Sequence, residues 1–234
     1  MKHSGAWLDG LPSGATKLEH RDFTTAMRVR MGEPVYGVSD RIRDCPHCKE
    51  ICDRMGHHSL SCSATGYRAA RHNNLRDLAA TVAKQAAVSV VVEERNLLAG
   101  QGEKPGDFTI SNWKSQGRTG AFDVTVVSPV LSTMLANTSV RRGHAAKAAE
   151  DAKDSKSYAV CLENGLDFIP LAVEFIGGWG NIALRELRKI AFLVSERSGR
   201  SRSQEIRYLF QRLAASLQRD NARMIQNRAP EFVG

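Results

Sequence analysis

The segment that most constrains this chain is Gly120-Ala121-Phe122-Asp123-Val124-Thr125-Val126-Val127. β-Branched and apolar residues flank a single acid, a pattern that predicts a strand. Strands of this composition are usually buried, and an ionised carboxylate is costly there unless something pairs with it. A second aspartate, Asp107, opens the preceding strand-like run over residues 107–113, and residues 114–118 between the runs have turn composition. Two strands joined by a short polar turn predict a hairpin, and a hairpin can bring Asp107 and Asp123 together. In a basic protein, two adjacent carboxylates suggest a divalent-metal site acting on nucleic acid.

The charge balance supports that direction. Among 234 residues, 33 Lys and Arg stand against 25 Asp and Glu, a formal net charge of +8 that favours an anionic partner. No apolar stretch approaches the length of a membrane span, and the N-terminus lacks the apolar core of a signal peptide. A reducing compartment is therefore expected. The five cysteines then read as metal ligands or free thiols rather than disulfides.

The remaining segments predict an α/β chain. Periodic apolar residues predict a helix over 71–87, then a strand over 89–93, a Gly-rich loop over 99–105, and the two Asp-bearing strands. A polar connection holding Asn137, Arg141 and Arg142 leads to an Ala-rich helix over 144–163, ended by Asn164-Gly165. A fourth strand covers 166–176, where Pro170 argues for an edge or a bulge. Two helices follow over 181–196 and 203–228. Near the start, Trp7-Leu8, Phe23, Met27, Val29 and Met31 look like a packing surface without its partner. The expected division is an N-terminal helical or linker segment (1–39), a zinc knuckle (40–66), a mixed α/β core (67–180) and a helical tail (181–234).

Cys45-Pro-His-Cys48 followed by His57-His58 and Cys62 has zinc-ligand spacing. The set is Cys45, Cys48, Cys62 and either His58 or His57, with Cys52 a weaker fourth candidate. The segment holds too few apolar residues to order itself, so bound Zn²⁺ would supply its folding energy. Four protein ligands close the site, which points to a structural or nucleic-acid-binding role. Cys161 reads as a small core residue.

Glu93, Asp107, Asp123 and Glu174 all fall on or beside predicted strands. Carboxylates suit Mg²⁺, which can polarise a scissile phosphate and activate water. A nearby lysine can orient that water or stabilise transition-state charge. If Ala145, Ala148, Ala149 and Ala152 define the packed face of the Ala-rich helix, Lys156 falls near its centre, Lys153 at its border and Lys147 in solvent.

A resemblance sharpens this reading. Lys104-Pro105-Gly106-Asp107, Trp113, Ala121-Phe122-Asp123-Val124 and Ser128-Pro129 resemble the restriction-like endonuclease of non-long-terminal-repeat retrotransposons, a branch of the PD-(D/E)xK superfamily. Cys45, Cys48, His58 and Cys62 followed by Arg71-His72-Asn73 are similar to its upstream CCHC knuckle. Ala149-Glu150-x-x-Lys153, Tyr158, the 168–174 run, Gly177-Gly-Trp-Gly180, the 218–223 tail and early Trp7-Leu8 with Leu11-Pro12 extend the similarity over nearly the whole chain.

The resemblance implies a restriction-endonuclease-like core ordered α-β-β-β-α-β. Asp107 and Asp123 would hold Mg²⁺ or Mn²⁺, with Glu93 a third candidate. The superfamily's usual lysine position is Thr125 in this sequence, while the retrotransposon branch carries its lysine on the following helix, as Lys153 or Lys156. The chain departs from the pattern in reading Pro-Gly-Asp and in placing Tyr158 five residues after Lys153. The implied activity is nicking of target DNA to prime reverse transcription, in the nucleus or elsewhere inside the cell. Element RNA and a reverse transcriptase domain absent from this chain are the further partners. The alternatives are an inactive zinc-knuckle module that binds nucleic acid, and a decayed fragment that does not fold alone. His72 or Asn73 is expected to cap the following helix, and a His-metal nuclease motif is the minor reading of those residues.

Overall fold

In the computed structural model, residues 3–36, 43–98, 104–114 and 117–228 are described. After two short 3₁₀ turns comes α1 (His20–Met31), ended by Gly32 in the left-handed conformation. A small hairpin, β1 (Arg43–Asp44) and β2 (Ile51–Cys52), leads to a one-turn helix, α2 (His57–Ser61). Then follow α3 (Tyr67–Gln85), β3 (Val90–Val92), β4 (Phe108–Ile110), β5 (Thr119–Val127), α4 (Ser132–Thr138), α5 (His144–Glu163), β6 (Leu166–Glu174), α6 (Asn181–Ser198) and α7 (Arg202–Gln226). The architecture is mixed α/β, with seven helices and a four-stranded mixed sheet among the described residues.

The sheet order is β3-β4-β5-β6. The first three strands are antiparallel, and β6 runs parallel to β5 across the α4–α5 crossover. Phe108 pairs with Phe122, and their rings stack with centroids 4.7 Å apart. Ile169, Leu171 and Val173 of β6 enter the main core with Leu75 of α3, Leu187 and Ile190 of α6, and Leu213 and Leu217 of α7. Leu166 and Phe168 join Cys161 of α5 in a separate cluster, so α5 covers the opposite face. β6 is buried along nearly its whole length, which explains its continuous apolar run. Pro170 pairs with Asp123 and β6 is an edge strand, where a missing N–H is tolerated.

Several boundaries differ from the expectations. The first long helix begins at Tyr67 behind Gly66, so His72 and Asn73 lie inside it and cap nothing. The strand expected over 107–113 is shorter, because Asn112 turns the chain with φ +55°. The polar connection contains α4, whose seven residues are all at least partly exposed and carry no apolar stripe to announce them. Most of the Gly-rich loop expected over 99–105 lies outside the described residues, as do residues 115–116 of the turn.

The partner that Trp7 was expected to lack lies within the chain. Its ring meets Phe23 edge-on at 5.7 Å, and it is buried in the same core as α7. Ala6 and Trp7 at one end and Leu209 to Leu217 at the other share a single core with the sheet. Among the described residues, no helix is long and apolar enough to cross a membrane.

Candidate metal centre and acidic site

The knuckle is built by its own backbone. The Cys45 N–H donates to Glu50 O at 2.6 Å and the Lys49 N–H to Cys45 O at 3.0 Å, closing the β1–β2 hairpin around Cys45 and Cys48. Asp53 then fixes the start of α2. Its Oδ1 accepts from the N–H groups of Met55 and His57, and its Oδ2 from the His58 N–H at 2.6 Å. These constraints aim the His58 ring into the hairpin. Ligand atoms of Cys45, Cys48, His58 and Cys62 all lie within 4.8 Å of one another. The His58 Nε2 is 3.3 Å from the Cys48 Sγ, and the Cys62 Sγ is 3.7 Å from it.

The choice between the two histidines therefore falls on His58. His57 points elsewhere, with Nδ1 3.7 Å from Asp53 and its ring centroid 6.4 Å from Phe175. Burial opposes ionisation of Cys45, but N–H donors from Cys48 and His47 and the His58 ring outweigh it and bring the thiol down to about 5. Burial pushes the nearby Cys52, outside the set of four, up to about 11. Three sulfurs and an imidazole in this arrangement can hold a thiophilic ion such as zinc. The Glu50 carboxylate, 3.7 Å from the other ring nitrogen of His58, can orient that ligand.

The knuckle is fastened to the core by a polar network. Arg71 is 4 % exposed and donates to Asn221 Oδ1 at 2.7 Å and to Leu60 O at 3.1 Å. Burial lowers its guanidinium to about 10. Asn221 in turn donates to Phe175 O at 2.8 Å, and Asn74 donates to Asp220 at 2.9 Å. The Arg71 motif and the 218–223 tail, distant in sequence, are thus two halves of one clamp.

The acidic site forms where β4 and β5 meet α3 and α5. The regular β4–β5 ladder ends at the Phe108–Phe122 pair, and Asp107 and Asp123 are the next residues along the two chains. The Asp107 N–H donates to Phe122 O at 2.7 Å, and its Oδ2 accepts from the Val124 N–H at 2.7 Å. His72 Nε2 donates to Oδ1 at 3.1 Å, and Lys104 Nζ lies 3.8 Å away. Burial opposes charge on Asp107, yet these donors and cations overcome it and hold its carboxyl below the usual range. This geometry requires glycine at 106, where a Cβ would sit 2.7 Å from Phe122 O.

The more buried carboxylate is Asp107, whose side chain is 5 % exposed, while the Asp123 side chain retains 18 %. Asp123 is less enclosed than its apolar neighbours suggested, because it stands on the face of β5 opened toward Lys153. The Lys153 Nζ lies 2.9 Å from Asp123 Oδ2, and the Thr125 hydroxyl donates to that oxygen at 3.1 Å.

The lysine ranking drawn from the alanines is corrected. Ala152 and Lys156 are exposed; the inward face of α5 carries Ala146, Glu150 and Cys161, with half-buried Lys153 between them. Alanine is compatible with either environment, so it marked the face poorly. Glu150 is buried because it accepts from the N–H groups of Ile182 and Ala183 at the start of α6. A Cβ on Gly180 would lie 2.2 Å from that carboxylate. Glu174 accepts from the Ala146 N–H at the start of α5. Burial raises both of these carboxyls, and both belong to helix ends.

Glu93, held at φ +57°, pairs with Arg76 at 2.5 Å and Lys104 at 2.7 Å. Hydrogen bonding to Lys104 leads the effects that lower its carboxyl. It meets Asp107 only through the shared Lys104. Sequence reasoning assigned no role at this site to His72 or Lys104. A polar residue one helical turn from another polar residue carries no signal of what it faces across the fold. Among the described residues, the Cys/His set is the only group of three or more Cys, His, Asp or Glu ligand atoms gathered this closely. No protein-family model matches the chain, and no curated protein matches it.

Proposed function

We propose that this chain is a metal-dependent DNA endonuclease that nicks a phosphodiester bond. The observation that carries the reading is that Asp107 and Asp123 follow the last β4–β5 pair, with Asp107 accepting from the Val124 N–H and the Lys153 ammonium against Asp123. The order α3-β3-β4-β5-α5-β6, with the short α4 before α5, is compatible with the α-β-β-β-α-β core expected of the restriction-like endonucleases this sequence resembles.

Asp107 and Asp123 offer hard oxygen donors that fit Mg²⁺ or Mn²⁺, ions that accept a few carboxylates and keep water in the remaining positions. Such an ion, when bound, supplies polarisation of the phosphate and a more acidic water. His72 and the Val124 N–H hold the Asp107 carboxylate in one orientation, so its free lone pairs are preorganised. Lys153 can hold a phosphate oxygen or position the attacking water. Water adds to phosphorus, the bond to the leaving oxygen breaks, and that oxygen takes up a proton. The knuckle holds Zn²⁺ in a closed four-ligand site and serves structure and strand binding. In this reading the chain acts on duplex target DNA, alongside element RNA and a reverse transcriptase, in the nucleus.

One observation favours a second reading, a nucleic-acid-binding module without cleavage. Each carboxylate already has a protein partner, Asp107 with His72 and Asp123 with Lys153. The test is conversion of supercoiled plasmid to open circles by the zinc-loaded protein with Mg²⁺. The nuclease reading expects nicking that Asp107→Ala and Asp123→Ala abolish. The binding reading expects salt-sensitive retention of DNA with no open circles.

A further inference from the structure

A groove of about 880 Å³ lies between the start of α5 and the length of α6, away from the residues of the acidic site. Seven of its fourteen lining residues are Lys or Arg, and none is acidic. Arg141, Arg142 and Arg202 are exposed and have no acidic partner among the described residues. Nearby acids are already committed. Glu186 is held by Trp113, Lys114 and Arg185, and Glu150 and Glu174 are spent on the helix ends. With those ends filled, side-chain cations carry the positive field of the groove.

Two features distinguish this surface from a scatter of basic residues. The charges line a concave track: from Asn181 to Phe192, α6 spans about 17 Å, comparable with the axial rise of about five phosphates on one strand. At its far end Phe192 is 37 % exposed, with the Arg202 guanidinium 5.0 Å from its ring centroid. A solvent-facing aromatic ring paired with arginine beside a row of cations is the arrangement on which an unpaired base stacks while its backbone follows the charges. A duplex, with its bases already stacked, has no use for Phe192.

We propose that this groove is a binding track for single-stranded nucleic acid, with Arg141, Arg142 and Arg202 on phosphates and Phe192 under a base. The track does not depend on cleavage at Asp107 and Asp123. Fluorescence anisotropy tests it, using zinc-loaded full-length chain, a labelled twelve-nucleotide oligothymidylate and buffers without Mg²⁺. R141Q/R142Q/R202Q is expected to weaken binding at least tenfold at low salt and to reduce the slope of log affinity against log salt by about 2. Phe192→Ala is expected to weaken it at least about fivefold with the salt slope unchanged. A labelled duplex of equal length should be indifferent to Phe192→Ala. The thermal midpoint of each variant shows whether it is folded, and Arg202→Lys, which keeps the charge, should retain the parental salt slope. Parental affinity and salt slope in the triple variant would overturn the proposal. Equal loss of duplex and single-strand binding in Phe192→Ala would overturn its choice of ligand.

Discussion

Glu186 shows how a single buried acid is made tolerable in this protein. It is 2 % exposed and accepts from Trp113 Nε1 at 2.7 Å, Lys114 at 3.0 Å and Arg185 at 2.8 Å. Burial works against its charge, but those donors overcome it and hold the carboxyl below its ordinary value. A depressed folded-state pKa gives stability that is present above the unfolded value of about 4.3 and lost as pH falls through the folded one. Glu186→Gln should cost about 2–3 kcal/mol at neutral pH and flatten the acid limb of a stability profile measured by urea unfolding. An unchanged acid limb would show that Glu186 does not carry this part of the acid lability. At the same scale, Asp123 was legible in the sequence because an acid inside an apolar strand violates a strong pattern. Arg71 and His72 were not legible as a clamp and an Asp107 partner. They sit in a polar stretch of α3, and their partners lie 150 and 35 positions further along the chain.

Among the elements, the knuckle was readable because its ligands are close in sequence and their spacing is itself the signal. The β5 and β6 strands were readable because their residue types agree with their burial, and α5 was readable as a helix though its alanines did not mark its buried face. The short β4 and the exposed α4 carried too little pattern. The Arg71–Asn221 clamp joins the knuckle to the core beside an apolar contact of Leu60 with Phe175, Met224 and Ile225, and the polar part can be tested by itself. Asn221→Ala removes one of the two hydrogen bonds that Arg71 donates and one of the two that the Phe175 carbonyl accepts. It should destabilise the protein by about 2–3 kcal/mol in a denaturant titration. Loading the protein with zinc and then stripping it with a chelator should expose Cys45, Cys48 and Cys62 to a thiol reagent while Cys161, 1 % exposed on α5 against β6, stays slow. Simultaneous release of all these thiols would mean that the knuckle and core unfold as one unit.

At the scale of the molecule, the chain closes on itself. Trp7 and α1 pack on α7, α7 packs beside α3 and α6, and those helices cover one face of the sheet whose other face α5 covers. That closure could not be read from Trp7-Leu8 alone, because an exposed-looking apolar pair does not reveal where its cover lies in the sequence. On this closed base Asp107, just before β4, accepts from the Val124 N–H of β5, and Lys153 of α5 meets Asp123. The central claim is that these three groups act together on a phosphodiester. Initial rates of plasmid nicking at saturating Mg²⁺ measure it most directly, with Asp123→Ala, Lys153→Ala and Lys156→Ala compared with the parent. A loss of about a hundredfold or more is expected for Asp123→Ala and Lys153→Ala, with Lys156→Ala within about twofold of the parent. Parental nicking by Asp123→Ala, or an equal loss in the two lysine variants, would contradict the account.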